Sequence, residues 1–295
     1  MARIIVEGLI SGLHRSPFHG YSAEFSQYRH YRPGDDLKYV DWKLVARTDR
    51  VYTKQFRETT NMAASLVIDA SASMAFGGQE QVRSRSAAGG RLSPLSSCPP
   101  TKLRYAVMLA AALAHVISGQ GDAVGLLAAR DRADVFLPAR AGRPHLRRLL
   151  AALTTLGAAG TWRPDEAVRR AAERLTRRGL LLVLSDFYDE EDRTFAELRR
   201  AARMGHEVVL FQIISRDEID FPYRRDLELE DLETGRTVAI NPDLARREYT
   251  DAVAAFLERC RMRAGADGSQ YSLVITDMRP DRVLRHFLLG RRVQL

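Results

Sequence analysis

Ala63-Ala64-Ser65-Leu66-Val67-Ile68-Asp69-Ala70-Ser71-Ala72-Ser73 decides the fold. Its first part is a short apolar run that ends on a carboxylate. A continuous apolar run, rather than an alternating one, is the pattern of a parallel strand buried on both faces. Such a strand delivers Asp69 to the C-terminal edge of the sheet, where open α/β sheets bind their ligands. There Asp69, Ser71 and Ser73 offer one carboxylate and two hydroxyls at alternate positions on a turn. Hard oxygen ligands in that pattern suit Mg²⁺ or Mn²⁺.

Downstream, helical and strand periods alternate. An Ala/Leu-rich helix is predicted from Lys102 to about Ser118, strands near Ala123 to Ala129 and Asp134 to Leu137, and a helix over Pro144 to Leu156. A helix over Pro164 to Arg177, a strand Leu180 to Ser185, a helix Asp192 to Met204 and a strand Glu207 to Ile214 follow. A βαβ series of this kind implies a mostly parallel central sheet with helices on both faces. The tail reads as less regular, with a hairpin of Leu227-Glu228-Leu229 and Arg236-Thr237-Val238 turning through Glu233-Thr234-Gly235. A helix from Pro242 to about Arg263 and a helical end complete it.

Two later loops are placed to complete the cation site. Thr161 precedes the helix that begins near Pro164, and Asp186 follows the Leu180 strand, so both emerge at the edge that carries Asp69. The blander account is capping, since Asp and Ser are favoured helix N-caps. Three oxygen-bearing loops in the right order favour metal binding over capping.

Residues 1 to about 60 are polar and aromatic, with turn chemistry at Pro33-Gly34-Asp35-Asp36 and alternation through Val51-Tyr52-Thr53-Lys54-Gln55-Phe56. We expect a small β-rich N-terminal module over residues 1–60, followed by the α/β domain over residues 61–295. Arg32, Asp35, Asp36, Asp41, Trp42 and Arg47 form a candidate interaction or interdomain surface, with an Arg/Asp network bracing two domains as the simplest use. Trp42 and Tyr28 read as core or interdomain packing. Residues 77–101, rich in Gly, Ser, Pro and Arg, read as an exposed, mobile insertion.

The order Asp69-x-Ser71-x-Ser73, Thr161, Asp186 resembles the metal-ion-dependent adhesion site of von Willebrand factor A domains. Tyr28-Arg29-His30-Tyr31-Arg32-Pro33-Gly34-Asp35-Asp36, Val40-Asp41-Trp42-Lys43, Ala46-Arg47-Thr48 and Gly121-Asp122-Ala123-Val124-Gly125-Leu126 are similar to the bacterial domain-of-unknown-function family fifty-eight. The resemblance implies a Rossmann-like von Willebrand factor A fold. It further implies that Ser71, Ser73 and Thr161 give hydroxyl oxygens, that Asp69 and Asp186 act directly or through water, and that one position on the ion stays open for a partner's Glu or Asp. Members of that family are encoded beside MoxR-type AAA+ ATPases, which suggests such an ATPase as partner in chaperone-like assembly or maturation.

Composition bounds the rest. Hydrophobic residues at 45% fit a globular chain. Cys98 and Cys260 lack the spacing of a disulfide scaffold or zinc site, and His14, His19 and His30 show no metal-ligand period. The first residues, Met1 to Glu7, lack a signal peptide's apolar core, and the stretch Leu103 to Ile117 is interrupted by Arg104 and His115 and too short to span a bilayer. A cytoplasmic location is the expectation. A net charge of +8 favours acidic partners, but its arginines sit in pairs beside apolar stripes, as solvated helix faces do. No nucleic-acid module accompanies them, so nucleic-acid binding through the basic surface, including Arg83, Arg85 and Arg91, is a secondary alternative. The enzymatic alternative is a Mg²⁺ phosphohydrolase with Asp69 as nucleophile. That chemistry needs an acid/base two residues on, where Ser71 stands, so no catalytic residue is expected.

Overall fold

The computed structural model describes residues 23–58, 62–77, 99–130, 134–175, 178–188, 191–224 and 226–293. Most of the insertion expected at 77–101, with its arginines and Cys98, lies outside the described residues, as do His14, His19 and Arg177.

Strands β1 (Ala23–His30) and β2 (Tyr52–Glu58) pair antiparallel. Between them run a 3-10 turn at Leu37–Tyr39 and helix α1 (Trp42–Thr48). The expected β-rich segment is present, with α1 inserted between its two strands. Asp41 caps it, accepting from the backbone N–H of Lys43 and Leu44 at 3.1 Å each.

Strand β3 (Ala63–Asp69) lies in a six-stranded sheet with β4 (Ala123–Ala129), β5 (Val135–Arg140), β6 (Leu180–Ser185), β7 (Glu207–Ile214) and β10 (Gln270–Ile275). The order is β10-β7-β6-β3-β4-β5, and only the edge strand β5 runs antiparallel. Counted within this sheet alone, that is the doubly wound order 3-2-1-4-5-6. The expected Rossmann-like architecture, a mostly parallel central sheet with helices on both faces, is what the chain adopts. Strands β8 (Leu227–Glu230) and β9 (Thr237–Ile240) form the expected hairpin.

Alternation along β3 feeds both faces. Leu66 and Ile68 point into a layer with α2 (Lys102–Gly119), α3 (Arg143–Thr154) and α8 (Pro280–Val293), through Leu109, Leu113, Leu149 and Phe287. Val67 points the other way, against α4 (Pro164–Glu173), α5 (Glu191–Arg203) and α7 (Pro242–Ala266), through Val168, Leu198 and Ala264. Each fully buried Leu or Ile contributes roughly 1.5–3 kcal/mol, so a nearly continuous apolar run, with Ser65 the one polar residue before Asp69, suits a two-faced strand.

The tail departs from expectation. Residues Gln270–Ile275 form the sixth strand, parallel to β7, rather than an irregular stretch before a helix. A short helix, α6 (Arg216–Asp220), also follows β7. The chain turns back at the junction of β3 and β6, which pair in register from Ala64–Leu180 to Ile68–Leu184. Reversal of strand order opens a crevice beyond those strand ends, and the site stands there.

Candidate metal centre

Asp69 ends β3 with 1% of its surface exposed. Its Oδ1 accepts from the backbone N–H of Ser71 at 2.9 Å, which folds the chain into the turn that presents both serines. Its Oδ2 accepts from Ser185 Oγ at 2.6 Å. The loop before α4 is clamped to this turn: Ala159 N–H donates to Ala70 O at 3.0 Å and Ala72 N–H to Gly160 O at 2.8 Å.

From there the donors form a chain. Ser71 Oγ and Ser73 Oγ are 3.0 Å apart, and Ser73 Oγ donates to Asp186 Oδ2 at 3.0 Å. Asp186 is fixed by its neighbours, since Oδ1 accepts from Tyr188 N–H at 3.2 Å and Gln212 Nε2 donates to its carbonyl at 2.9 Å. Tyr271 Oη on β10 in turn donates to Gln212 Oε1 at 2.6 Å. Phe187 adopts φ 60, a conformation that costs a residue with a side chain on the order of 1–3 kcal/mol and is held because Ser185 Oγ accepts its N–H at 2.9 Å.

Two buried carboxylates facing one site disfavour double ionisation. Burial pushes Asp69 up to about 7, and the charge of Asp186 pushes the same way, against hydrogen bonds from Ser185 and Ser71. The set gathers two carboxylates and two hydroxyls, the hard oxygen donors that divalent cations such as Mg²⁺ take as ligands. Among the described residues no group of three His, Cys, Asp or Glu could hold a metal, so any ion here would depend on the serine hydroxyls.

Sequence reasoning missed Lys102. The first residue of α2 has 1% of its side chain exposed, and its Nζ donates to Asp186 Oδ2 and to Glu218 Oε1, at 2.7 Å each. The rings of Tyr188 and Phe76 lie 4.9 and 5.8 Å from the ammonium. Burial works to lower its pKa, but the two carboxylates outweigh that and raise it, so the group is an ammonium. A cation at a helix N-terminus opposes the helix dipole, which makes its burial there a sign of specific pairing. Glu218 is anchored independently: it belongs to a capping box in which its Oε2 accepts from Ser215 N–H at 2.7 Å.

Thr161 follows the clamped Gly160 but is exposed. It lines a polar cavity of about 500 Å³ with Arg130, Asp134, Arg163, Glu166 and Arg170. The structure thus joins Asp69, Ser71, Ser73 and Asp186 by direct bonds, whereas Thr161 lines a cavity that none of those four residues lines.

The second candidate surface is tied internally. Asp35 accepts from Arg29 Nη2 at 2.7 Å and from the backbone N–H of Arg32 at 3.0 Å. Asp36 accepts from Lys38 N–H at 3.1 Å, and Asp41 accepts from Tyr28 Oη at 2.9 Å and pairs with Lys54 at 3.0 Å. These partners all lie between residues 28 and 54, so the bonds brace this segment itself. Arg47 is exposed. Trp42 and Tyr28 are 63% and 44% exposed, which corrects their reading as packed side chains: α1 is too short to turn its first residue inward, and the Tyr28 hydroxyl is drawn to Asp41 instead. Asp122, from the second sequence landmark, is buried and accepts from Met62 N–H at 3.2 Å, pinning the start of β3 beside β4.

Comparison with known proteins shows the family of the chain. Two curated proteins described as uncharacterised, one from Mycobacterium bovis and one from Mycobacterium tuberculosis, are each 31% identical over 257 residues, spanning 85% of this chain and 74% of theirs. Among solved structures, the conserved hypothetical protein BatB from Bacteroides thetaiotaomicron aligns with TM-score 0.49 and 14% identity, over 79% of this chain and 99% of its own. The SpRpn10 VWA domain aligns with TM-score 0.40 and 12% identity, over 76% and 93%. The family described as protein of unknown function DUF58 matches residues 27–90 and 93–258, and the chain belongs to it.

Proposed function

We propose that this chain is a non-enzymatic adaptor that binds a protein partner through a Mg²⁺ or Mn²⁺ ion held by Asp69, Ser71, Ser73, Thr161 and Asp186. The observation that carries the reading is the linked set of oxygens at the switch point, Ser71 Oγ to Ser73 Oγ to Asp186 Oδ2 in steps of 3.0 Å, beside an Asp69 pushed up to about 7. Such a set gains most from a divalent ion, and an ion with few charged ligands gains in turn from a partner's Glu or Asp. The cavity beside Thr161 carries Arg130 and Arg163, the latter 77% exposed although 3.7 Å from Glu166, and such guanidinium groups suit an acidic partner. The family resemblance makes a MoxR-type AAA+ ATPase the first partner to test.

The phosphohydrolase alternative lacks its acid/base, since the residue two positions past Asp69 is Ser71, buried and bonded to Ser73. Titration calorimetry of the chain with Mg²⁺ and Mn²⁺, wild type against Asp69→Ala, tests the ion. A pull-down of the ATPase with and without chelator tests the bridge. Saturable binding lost in Asp69→Ala supports the reading; capture of the partner that is indifferent to chelator and to the substitution overturns it.

A further inference from the structure

A divalent ion at this centre meets a cation that is already there. Asp186 Oδ2 is shared between Ser73 Oγ at 3.0 Å and Lys102 Nζ at 2.7 Å. An ion drawing on Asp186 therefore draws on a carboxylate that neutralises an ammonium, and the two positive charges stand within a few ångströms in a buried setting where screening is weak. Lys102 is not stranded by that competition, because Glu218 Oε1 lies 2.7 Å away on its other side. Glu218 stays in place whichever way the ammonium leans, since its second oxygen is held by the backbone of Ser215.

We propose that Lys102 is the site's internal counter-cation, competing with the divalent ion for Asp186, and that Glu218 draws it away and so sets how tightly the site holds its ion. This rests on the metal-binding reading above and goes further, naming two affinity-determining residues that hold neither ion nor partner. Lys102 sits on α2 and Glu218 on α6, 116 positions apart in sequence, so ion loading is tied to the segment that leads from β7 toward the β8–β9 hairpin. The effect has a definite sign for each residue. Removal of the ammonium frees Asp186 for the ion, whereas neutralising Glu218 leaves the ammonium to Asp186 alone.

The test is titration calorimetry of the full chain with MgCl₂ and with MnCl₂, on wild type, Asp69→Ala, Lys102→Met, Glu218→Gln and the Lys102→Met/Glu218→Gln double variant, with circular dichroism as the check on folding. We expect Lys102→Met to bind about tenfold tighter or more, and Glu218→Gln about tenfold weaker or more. In the double variant the Glu218→Gln loss disappears, because its effect acts through Lys102. Should Lys102→Met fail to fold, with Asp186 left buried and unpaired, the comparison of Glu218→Gln with wild type carries the test. Wild-type binding that is lost in Asp69→Ala but is unchanged in Glu218→Gln, or that weakens in Lys102→Met, overturns the role of Lys102 and leaves the metal reading intact. Binding that persists in Asp69→Ala, or is absent from wild type and Lys102→Met alike, overturns both.

Discussion

Ser185 Oγ donates to Asp69 Oδ2 at 2.6 Å, from the last residue of β6 to the last residue of β3. The same oxygen accepts the N–H of Phe187 at 2.9 Å. One buried hydroxyl thus ties together the ends of the two strands between which the sheet reverses. It sets Asp69 toward the serines and turns the chain so that Asp186 faces them. The site is a property of the β3–β6 junction before it is a property of any loop.

Ser185→Ala removes a donor from a buried carboxylate and an acceptor from a buried N–H. Leaving such groups unsatisfied costs roughly 1–3 kcal/mol, and the loss is expected in urea denaturation with chelator present. Ser185→Cys, which keeps a weak donor, is expected to lose less than Ser185→Ala. Equal stability of Ser185→Ala and wild type would mean that the bond contributes nothing.

Gly179 immediately precedes β6, whose first residue Leu180 pairs with Ala64 of β3. A Cβ at this position would stand 2.4 Å from the carbonyl oxygen of Ala63 and 3.3 Å from Leu175. The first contact is to backbone of the central strand, which cannot rotate away. Gly179→Ala is therefore expected to destabilise by about 1–3 kcal/mol, read as a lower denaturation midpoint, whereas Gly119→Ala, with open space around its Cβ, stays near wild type.

Much of this was legible in the sequence and some was not, for physical reasons. The bounds of β3, β4, β6 and β7 follow from apolar runs that only a two-faced parallel strand requires. β10 escaped notice because it lies at the sheet edge, pairs only with β7, and alternates polar Gln270 and Ser272 with its apolar residues, so it lacks that continuous run. Lys102 escaped for a different reason. A lysine at a helix start reads as solvated, and the carboxylates that bury it are 84 and 116 residues further on. Trp42 misled because large aromatics are mostly buried, yet a helix of seven residues with no buried residue has no inner face to offer it.

His206 gives stability a defined pH dependence. Its Nδ1 accepts from Gly179 N–H at 3.3 Å, so the ring is held neutral on that side. Burial, the larger influence, lowers its pKa below the ordinary 6.5, and a backbone hydrogen bond at Ala172 offsets this only in part. The unfolded chain thus takes up the proton first as pH falls. Stability contributed by the neutral ring is present above 6.5 and is lost as pH drops below it. Urea midpoints at about pH 7.5 and about pH 5.5 should differ more for wild type than for His206→Gln, which cannot titrate. Identical differences would assign the acid sensitivity to other groups.

Trp42, at 63% exposure, packs too little for its loss to matter to the fold. Trp42→Ala is expected to leave the denaturation midpoint within about 0.5 kcal/mol of wild type, as surface substitutions do. Leu66→Ala, in the same assay, is expected to cost about 2–5 kcal/mol, because Leu66 is fully buried in the central strand. A large loss in Trp42→Ala would show that this ring is covered in solution, and by something other than the residues around it here.

Divalent-ion binding to the folded chain alone must appear as stabilisation, independently of any partner. At an ion concentration about 100 times Kd the gain is about 2.7 kcal/mol, a rise of several degrees in Tm for a chain of this size. Asp69→Ala is expected to abolish the rise. Thr161→Ala separates holding the ion from holding the fold. Thr161 is exposed and lines the polar cavity, so its loss should leave Tm in chelator unchanged and reduce the Mg²⁺-dependent rise. Differential scanning calorimetry with EDTA and with excess MgCl₂ reads both quantities in one experiment. An undiminished rise in Thr161→Ala would remove Thr161 from the ligand set and leave Asp69, Ser71, Ser73 and Asp186 to hold the ion. An undiminished rise in Asp69→Ala would move the ion elsewhere on the chain and remove the physical basis of the adaptor reading.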